Sequence, residues 1–399
     1  MMKKIAVIGA VLALMGATAC SSDTQGKSDG PVKLGVAVPL SGPLAQVGSS
    51  MELAAKYATK EINDAGGVDG RKVELVVADT TEDPTRAGQE INRLLTQEHI
   101  DFLLGPATTD MFAATYNTVT QANIPQLHGS GSTDYTPAKA PNSFSYTASV
   151  PDQASAMVKY AVSKGYKSVA VVEDNGQYGK AAGASLREAL TAQGIKVTTT
   201  REYKAGDADM TALMLAVQKS KPDAVMVFAS NGDDTGHVLK AAQDVTLNLP
   251  IIGNYGTTFV GPAKQIAGDN AYKNVVAVTY PGVGSCAGQK PPEATINFEN
   301  KLREFDKDTA DKSNLDFVAI IRDGLLLMAR GINGADSFDG GKVAAWLEQN
   351  AASKSTDEGL INTPIAISKD THFLTGADSL VAVKPGTTVA PGVYVRADC

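Results

Sequence analysis

The sequence predicts an α/β fold in two lobes, each a doubly wound parallel sheet, joined by crossover strands that serve as a hinge. Three observations carry this. From Val32 onward, β-branched apolar runs alternate with segments of helical apolar spacing. The alternation pauses at "PNSFSYTASVPD" and then restarts, which gives two sets of βα units of similar size. After Pro281, three helical segments follow one another before short closing strands, so the chain crosses back to complete the first lobe.

The N-terminus reads as an address. Lys3 and Lys4 precede an apolar run, Ile5 to Met15, too short to span a bilayer, and small residues follow. Residues 1–19 are read as a signal peptide and 20–31, "CSSDTQGKSDGP", as a flexible tether. Ala17-Thr18-Ala19 fits ordinary signal peptidase as well as the small-residue run before a lipidated cysteine, and Ala17 stands where bacterial lipoproteins more often carry Leu. Cysteine parity favours lipidation: a thioether at Cys20 leaves Cys286 and Cys399 to pair in an oxidising compartment. The expected location is extracytoplasmic, lipid-anchored through Cys20, with soluble periplasmic or secreted protein as the alternative.

In the first lobe, "VKLGVAVPL" and "KVELVVAD" are strands. Gly48 to Ala65 is a helix with Leu53, Ala54, Tyr57, Ala58 and Ile62 on one face. "DPTRAGQEINRLLTQ" is the next helix, with Asp83 as N-cap and Pro84 at its first position. "DFLLGPA" leads into a helix ending near Asn123, followed by "IPQLHG". The second lobe repeats the scheme with "KSVAVVED", "KVTTTREY", "DAVMVFAS", "PIIGNY" and "NVVAVTY", and with helices near Tyr178–Gln193, Ala208–Lys219 and Asp234–Gln243. Helices at Glu293–Phe305, Phe317–Ile332 and Gly341–Asn350 return to the first lobe. The boundaries expected are 32–148 plus 282–357 for lobe 1 and 149–281 plus 358–399 for lobe 2.

Composition narrows the function. The chain of 399 residues is 43% hydrophobic and 20% charged, as in ordinary globular proteins, and its net charge of −7 without a Lys/Arg cluster argues against nucleic acid as partner. No GxSxG elbow, phosphate loop or HExxH helix occurs, and the four histidines are scattered without CxxC or HxxxH pairs. Neither an enzyme, a metal nor a cofactor is therefore expected.

Ligands of open α/β sheets bind at the carboxyl ends of the strands. There, "GPATTDMFAA" places Thr108 and Thr109 at a helix start, where free N–H groups and the helix dipole favour an anion such as a carboxylate; the plainer role is helix capping. "HGSGSTD" adds Ser130, Gly131 and Ser132 on the same edge. The second lobe offers Tyr178 in "EDNGQYGK", Asn231 and Asp233 in "ASNGDD", and Tyr255 in "GNYGTT".

The stretches "VKLGVAVPLSGPLAQVG", "INDAGGVDGRKVELVVADTTEDPTRA", "FLLGPATT", "IPQLHGSGST" and "VVEDNGQYG" resemble, in order and spacing, the leucine/isoleucine/valine-binding type of class I periplasmic binding protein, and the resemblance covers essentially the whole mature chain. It implies a hinged clamp of Venus-flytrap type that is not an enzyme, and that captures an amino acid or related carboxylate or amide for an ABC permease and its ATPase; a sensor of the same fold feeding a regulatory or chemotaxis partner is the alternative. It further implies Thr108 and Thr109 on the ligand carboxylate, Gly131 and Ser132 with adjacent Ser130 on carboxylate and ammonium, Tyr178 closing from the second lobe, and Phe317 as the apolar residue before the late helix. Two departures stand out. Tyr255 occupies the place of the acidic ammonium partner, so either Asp233 or Asp234 substitutes or the ligand lacks an ammonium. Val47 replaces a frequent aromatic residue.

Overall fold

A computed structural model describes residues 30–353 and 358–399; the signal peptide, Cys20 and most of the expected tether lie outside the described residues. In the first lobe the chain runs β1 (Val32–Val38), α1 (Ala45–Asp64), β2 (Val73–Asp79), α2 (Pro84–Thr96), β3 (Phe102–Leu104), α3 (Thr109–Ala122), β4 (Gln126–His128) and β5 (Ser143–Ser145). These strands form a parallel sheet of order β2-β1-β3-β4-β5. Asp83 caps α2 with its carboxylate, accepting from the Thr85 and Arg86 amides, ahead of Pro84 at the first helical position.

The second lobe follows with α4 (Val150–Ser163), β6 (Ser168–Asp174), α5 (Gln177–Ala192), β7 (Lys196–Tyr203), α6 (Thr211–Lys219), β8 (Ala224–Phe228), α7 (Gly232–Asp244), β9 (Ile251–Gly253), α8 (Val260–Ala267) and β10 (Val275–Thr279). β11 (Gly284–Ser285) leads out to α9 (Glu293–Phe305), α10 (Lys307–Ala310), α11 (Leu315–Ala335) and α12 (Gly340–Asn350). The chain then returns in β12 (Val381–Ala390) and β13 (Val393–Arg396). The second sheet has the order β11-β13-β12-β10-β9-β8-β6-β7, in which β12 runs antiparallel to β10.

Burial explains the apolar runs. Successive residues of a strand point to opposite faces, so a strand covered on both sides is apolar throughout. In β6, Val169 and Val171 enter one apolar cluster while Ala170 and Val172 enter the other. In the first lobe, α11 packs beside α1, and its Val318, Ile321, Leu325 and Ile332 join β1 and α1 in a single core.

The segment 358–375, expected in the second lobe, is bonded to the first. The Ile361 and Asn362 amides donate to the buried Asp323 of α11. The Ser145 N–H of β5 donates to the His372 carbonyl, and the Ser145 carbonyl accepts from the Leu374 N–H. The reason is a buried charge. Arg322 reaches Glu61 of α1 at 2.6 Å, Asp323 at 2.9 Å and the Gly359 carbonyl at 2.7 Å, so the returning backbone completes the donor and acceptor set of an otherwise under-bonded ion cluster. Of the described residues after 357, β12 and β13 are the strands that join the second sheet, and there Cys286 and Cys399 are joined by a disulfide with Cα atoms 5.9 Å apart.

Candidate functional site

The carboxyl edges of the two sheets face each other across a cavity of about 70 Å³. The first lobe contributes Leu44, Val47, Ala107, Thr108, Thr109, Gly129 and Phe317; the second contributes Tyr178, Ser230, Tyr255 and Phe259. A single water needs roughly 10 to 15 Å³. The space therefore suits a small organic molecule.

The polar end is built by the turn between β3 and α3. Gly105, at a φ of 113°, turns the strand so tightly that a β-carbon there would strike the Ala37 carbonyl. Thr108 then caps α3, its hydroxyl oxygen accepting from the Met111 amide at 3.3 Å. The Thr109 hydroxyl oxygen accepts from the Ser130 hydroxyl, also at 3.3 Å. Both threonine oxygens are thus acceptors within the protein, which leaves each hydroxyl hydrogen to donate into the cavity. The Thr109 and Asp110 N–H groups, at the start of α3, have no carbonyl partner in their own helix, so this end is a donor set suited to an anion.

From the second lobe Ser230 also lines the cavity; it donates its hydrogen to Asp174 at 3.0 Å, which leaves its lone pairs to accept. Asp174 also accepts from the Gly176 amide. Burial raises the pKa of Asp110, on the first turn of α3, and the charge of Asp174 adds to the effect. Tyr178 has its hydroxyl engaged on both sides, donating to Gln153 and accepting from Asn254, each at 3.2 Å. Its ring is what reaches the ligand space. Burial pushes the Tyr178 and Tyr255 phenols above their ordinary range, so both stay neutral. Phe317 touches Tyr146 edge-on at 5.6 Å and Phe259 at 5.4 Å, which fixes the aromatic wall.

Of the residues singled out in the sequence, Thr108, Thr109, Tyr178, Tyr255 and Phe317 come together in this cavity. Ser130, Gly131 and Ser132 stand behind it. Ser130 is fully buried beneath Thr109, the Gly131 carbonyl is taken by the Val150 amide, and the Ser132 hydroxyl accepts from Asp134. Asn231 spends its side chain capping α7. Asp233 is exposed along a separate groove of about 400 Å³ that shares only Phe259 with the cavity. Asp234 is buried on the Gly206 amide and Asn231, away from the cavity. Among the described residues, no carboxylate lines the cavity.

Ser230 and Phe259 were not singled out. Ser230 ends "VFAS", and its strand-end position was a usable signal; Phe259 sits in a turn whose direction no local pattern reveals. Among the described residues no helix is long and apolar enough to cross a membrane, and no cluster of three metal-ligating side chains occurs.

Residues 31–388 match the family model described as Periplasmic binding protein. The Leu/Ile/Val-binding protein BraC3 of Rhizobium johnstonii is 28% identical over 254 residues, which span 62% of this chain and 68% of that one. The branched-chain amino acid transporter substrate binding protein LivJ of Streptococcus pneumoniae, solved with isoleucine, superposes with a TM-score of 0.75 at 22% identity, covering 92% of this chain and 99% of that one. An ABC transporter solute binding protein of Rhodopseudomonas palustris, solved with 4-hydroxybenzoate, gives a TM-score of 0.76 at 18% identity, covering 92% and 95%. These two likenesses show a shared fold. The chain belongs to the periplasmic binding protein family, whose members bind solutes outside the cytoplasm.

Proposed function

We propose that this protein is the receptor of an ABC importer for small organic acids that lack an α-ammonium group. The observation that carries the reading is the lining of the cavity: a hydrogen-bond-donating end at Thr108 and Thr109, aromatic and aliphatic walls from both lobes, and no carboxylate among the described residues. A carboxylate head is held by the α3 hydroxyls and amides, the body lies against Phe317, Tyr255 and Phe259, and a hydroxyl or amide on the far side donates to Ser230. An ammonium buried in this space without a counter-charge would cost several kcal/mol. Because one ligand touches both lobes, it stabilises the closed arrangement. Proteins of this fold are solved with isoleucine and with 4-hydroxybenzoate, so the fold admits both classes and the cavity lining chooses between them. Lipidation of Cys20, which would keep the clamp beside its permease, belongs to the same proposal.

Thermal unfolding in the presence of 4-hydroxybenzoate, aliphatic 2-oxo acids, leucine and isoleucine tests this, since a ligand selective for the folded state raises the melting temperature. The acids raise it and the amino acids do not. Stabilisation by isoleucine equal to that by the best acid overturns the assignment.

A further inference from the structure

Asp316 is the second residue of α11, only 1% exposed, and belongs through that helix to the first lobe. The hydroxyls on its side chain come from the second. Oδ2 meets the Thr258 hydroxyl at 2.8 Å and the Thr279 hydroxyl in a shorter contact, while Oδ1 accepts from the Phe317 amide at 2.9 Å. Thr258 closes the turn that begins at Tyr255, and Thr279 ends β10.

The hydrogens can be counted. The Thr258 oxygen has three polar neighbours: the Tyr255 carbonyl at 2.6 Å, the Asn314 amide nitrogen at 2.9 Å, and Asp316 Oδ2. A hydroxyl has one hydrogen to give. The carbonyl has none, so it takes that of Thr258, and the Asn314 amide supplies its own. The remaining contact, oxygen to oxygen with Asp316, needs a hydrogen from the acid. A neutral carboxylic acid supplies it and still accepts from Thr279; a carboxylate leaves two acceptors opposed. No Lys, Arg or His pairs with Asp316 among the described residues. The titratable groups facing it are the phenols of Tyr255, Tyr280 and Tyr394, all held neutral by burial.

We infer that Asp316, as the neutral acid, is a positioning residue that clasps the two lobes and sets the Tyr255 and Phe317 walls, so that closing the cleft takes up a proton. This rests on the reading of the cleft as a ligand site. Burial raises the carboxyl to about 6, with the Thr279 and Thr258 hydroxyls opposing. An ordinary aspartate titrates near 3.9. Between those values the closed form binds more protons than one in which Asp316 is hydrated, so closure weakens as pH rises from about 4 to about 6 and levels off above.

Small-angle scattering of the ligand-free protein from pH 4 to 8 decides the matter. The wild type expands across that window. Asp316→Asn, whose amide donates to Thr258 at every pH, stays compact throughout. Thr279→Val removes a donor to the ionised form and moves the expansion to higher pH, which keeps the test in force if the first variant fails to fold. A wild type of constant size, or an Asn variant with the same transition, overturns the clasp. Calorimetry with 4-hydroxybenzoate adds the link to capture: wild-type affinity falls across the window by up to tenfold per pH unit relative to Asp316→Asn. If 4-hydroxybenzoate binds neither protein at any pH, the ligand class fails, and scattering still decides the clasp.

Discussion

The ring of Phe317 lies parallel to that of Tyr255, with 4° between their planes and 6.5 Å between their centroids, although the two residues come from different lobes. Each is anchored from behind, Phe317 on Tyr146 and Tyr255 near Tyr280. A flat apolar ligand body gains ring contact here, which is worth roughly 0.5 to 1.5 kcal/mol beyond buried area. Phe317→Leu keeps the site apolar and is expected to weaken an aromatic acid roughly three- to tenfold while changing an aliphatic acid less. Calorimetric titration of both acids against the variant measures the difference, and equal losses would remove the aromatic preference.

Thr109 is the test of the anion end. Its hydroxyl oxygen is occupied by Ser130, so its hydrogen is the part a ligand meets. A hydrogen bond to a charged group contributes about 1.5 to 3 kcal/mol. Thr109→Val, which keeps the β-branched shape in the first turn of α3, should lower the affinity for an acid at least about tenfold. Calorimetry reads this directly. Unchanged affinity would place the carboxylate elsewhere.

His128 supplies a pH dependence of opposite sign to that of Asp316. Burial pushes its imidazole down to about 3, with His372 adding to the effect, while its Nδ1 accepts from the Ser130 amide and its ring stacks on Phe112 at 3.7 Å. An unfolded histidine titrates near 6.5. Between about 3 and 6.5 the unfolded chain therefore binds the extra proton, and the native state loses stability as pH falls through that range. His128→Asn retains an acceptor for Ser130 without the titration. Urea unfolding at pH 7 and pH 4.5 should show the wild type losing about 2 to 3 kcal/mol more than the variant between the two conditions.

Helix existence was legible because burial repeats at helical period. The span expected at Glu293–Phe305 is the helix observed, and that at Phe317–Ile332 is the middle of α11, which runs on to Leu315 at its start and Ala335 at its end. The return of 358–375 to the first lobe was not legible, because it answers to Arg322 and Asp323, whose burial depends on α1 more than 250 residues away. The site divides in the same way. Thr108 and Thr109 follow from a strand-to-helix turn, a local feature. Ser132 and Asn231 look equally available in sequence, yet Ser132 does not reach the cavity and Asn231 is spent on capping α7. Which hydroxyl remains free for a ligand is a matter of backbone direction, and composition does not encode it.

The placement of β12 and β13 has a consequence in time. β10 lies at the growing edge of the second sheet, and its partner β12 begins at Val381, after α9 to α12 have already gone to the first lobe. Until that return is made, β10 presents an unpaired row of N–H and C=O groups, the kind of edge that invites wrong pairing. A polypeptide delivered N-terminus first thus has every ingredient of its first lobe before it can seal its second. The β12–β13 hairpin is the stitch that covers this edge, and the Cys286–Cys399 bond ties it to β11.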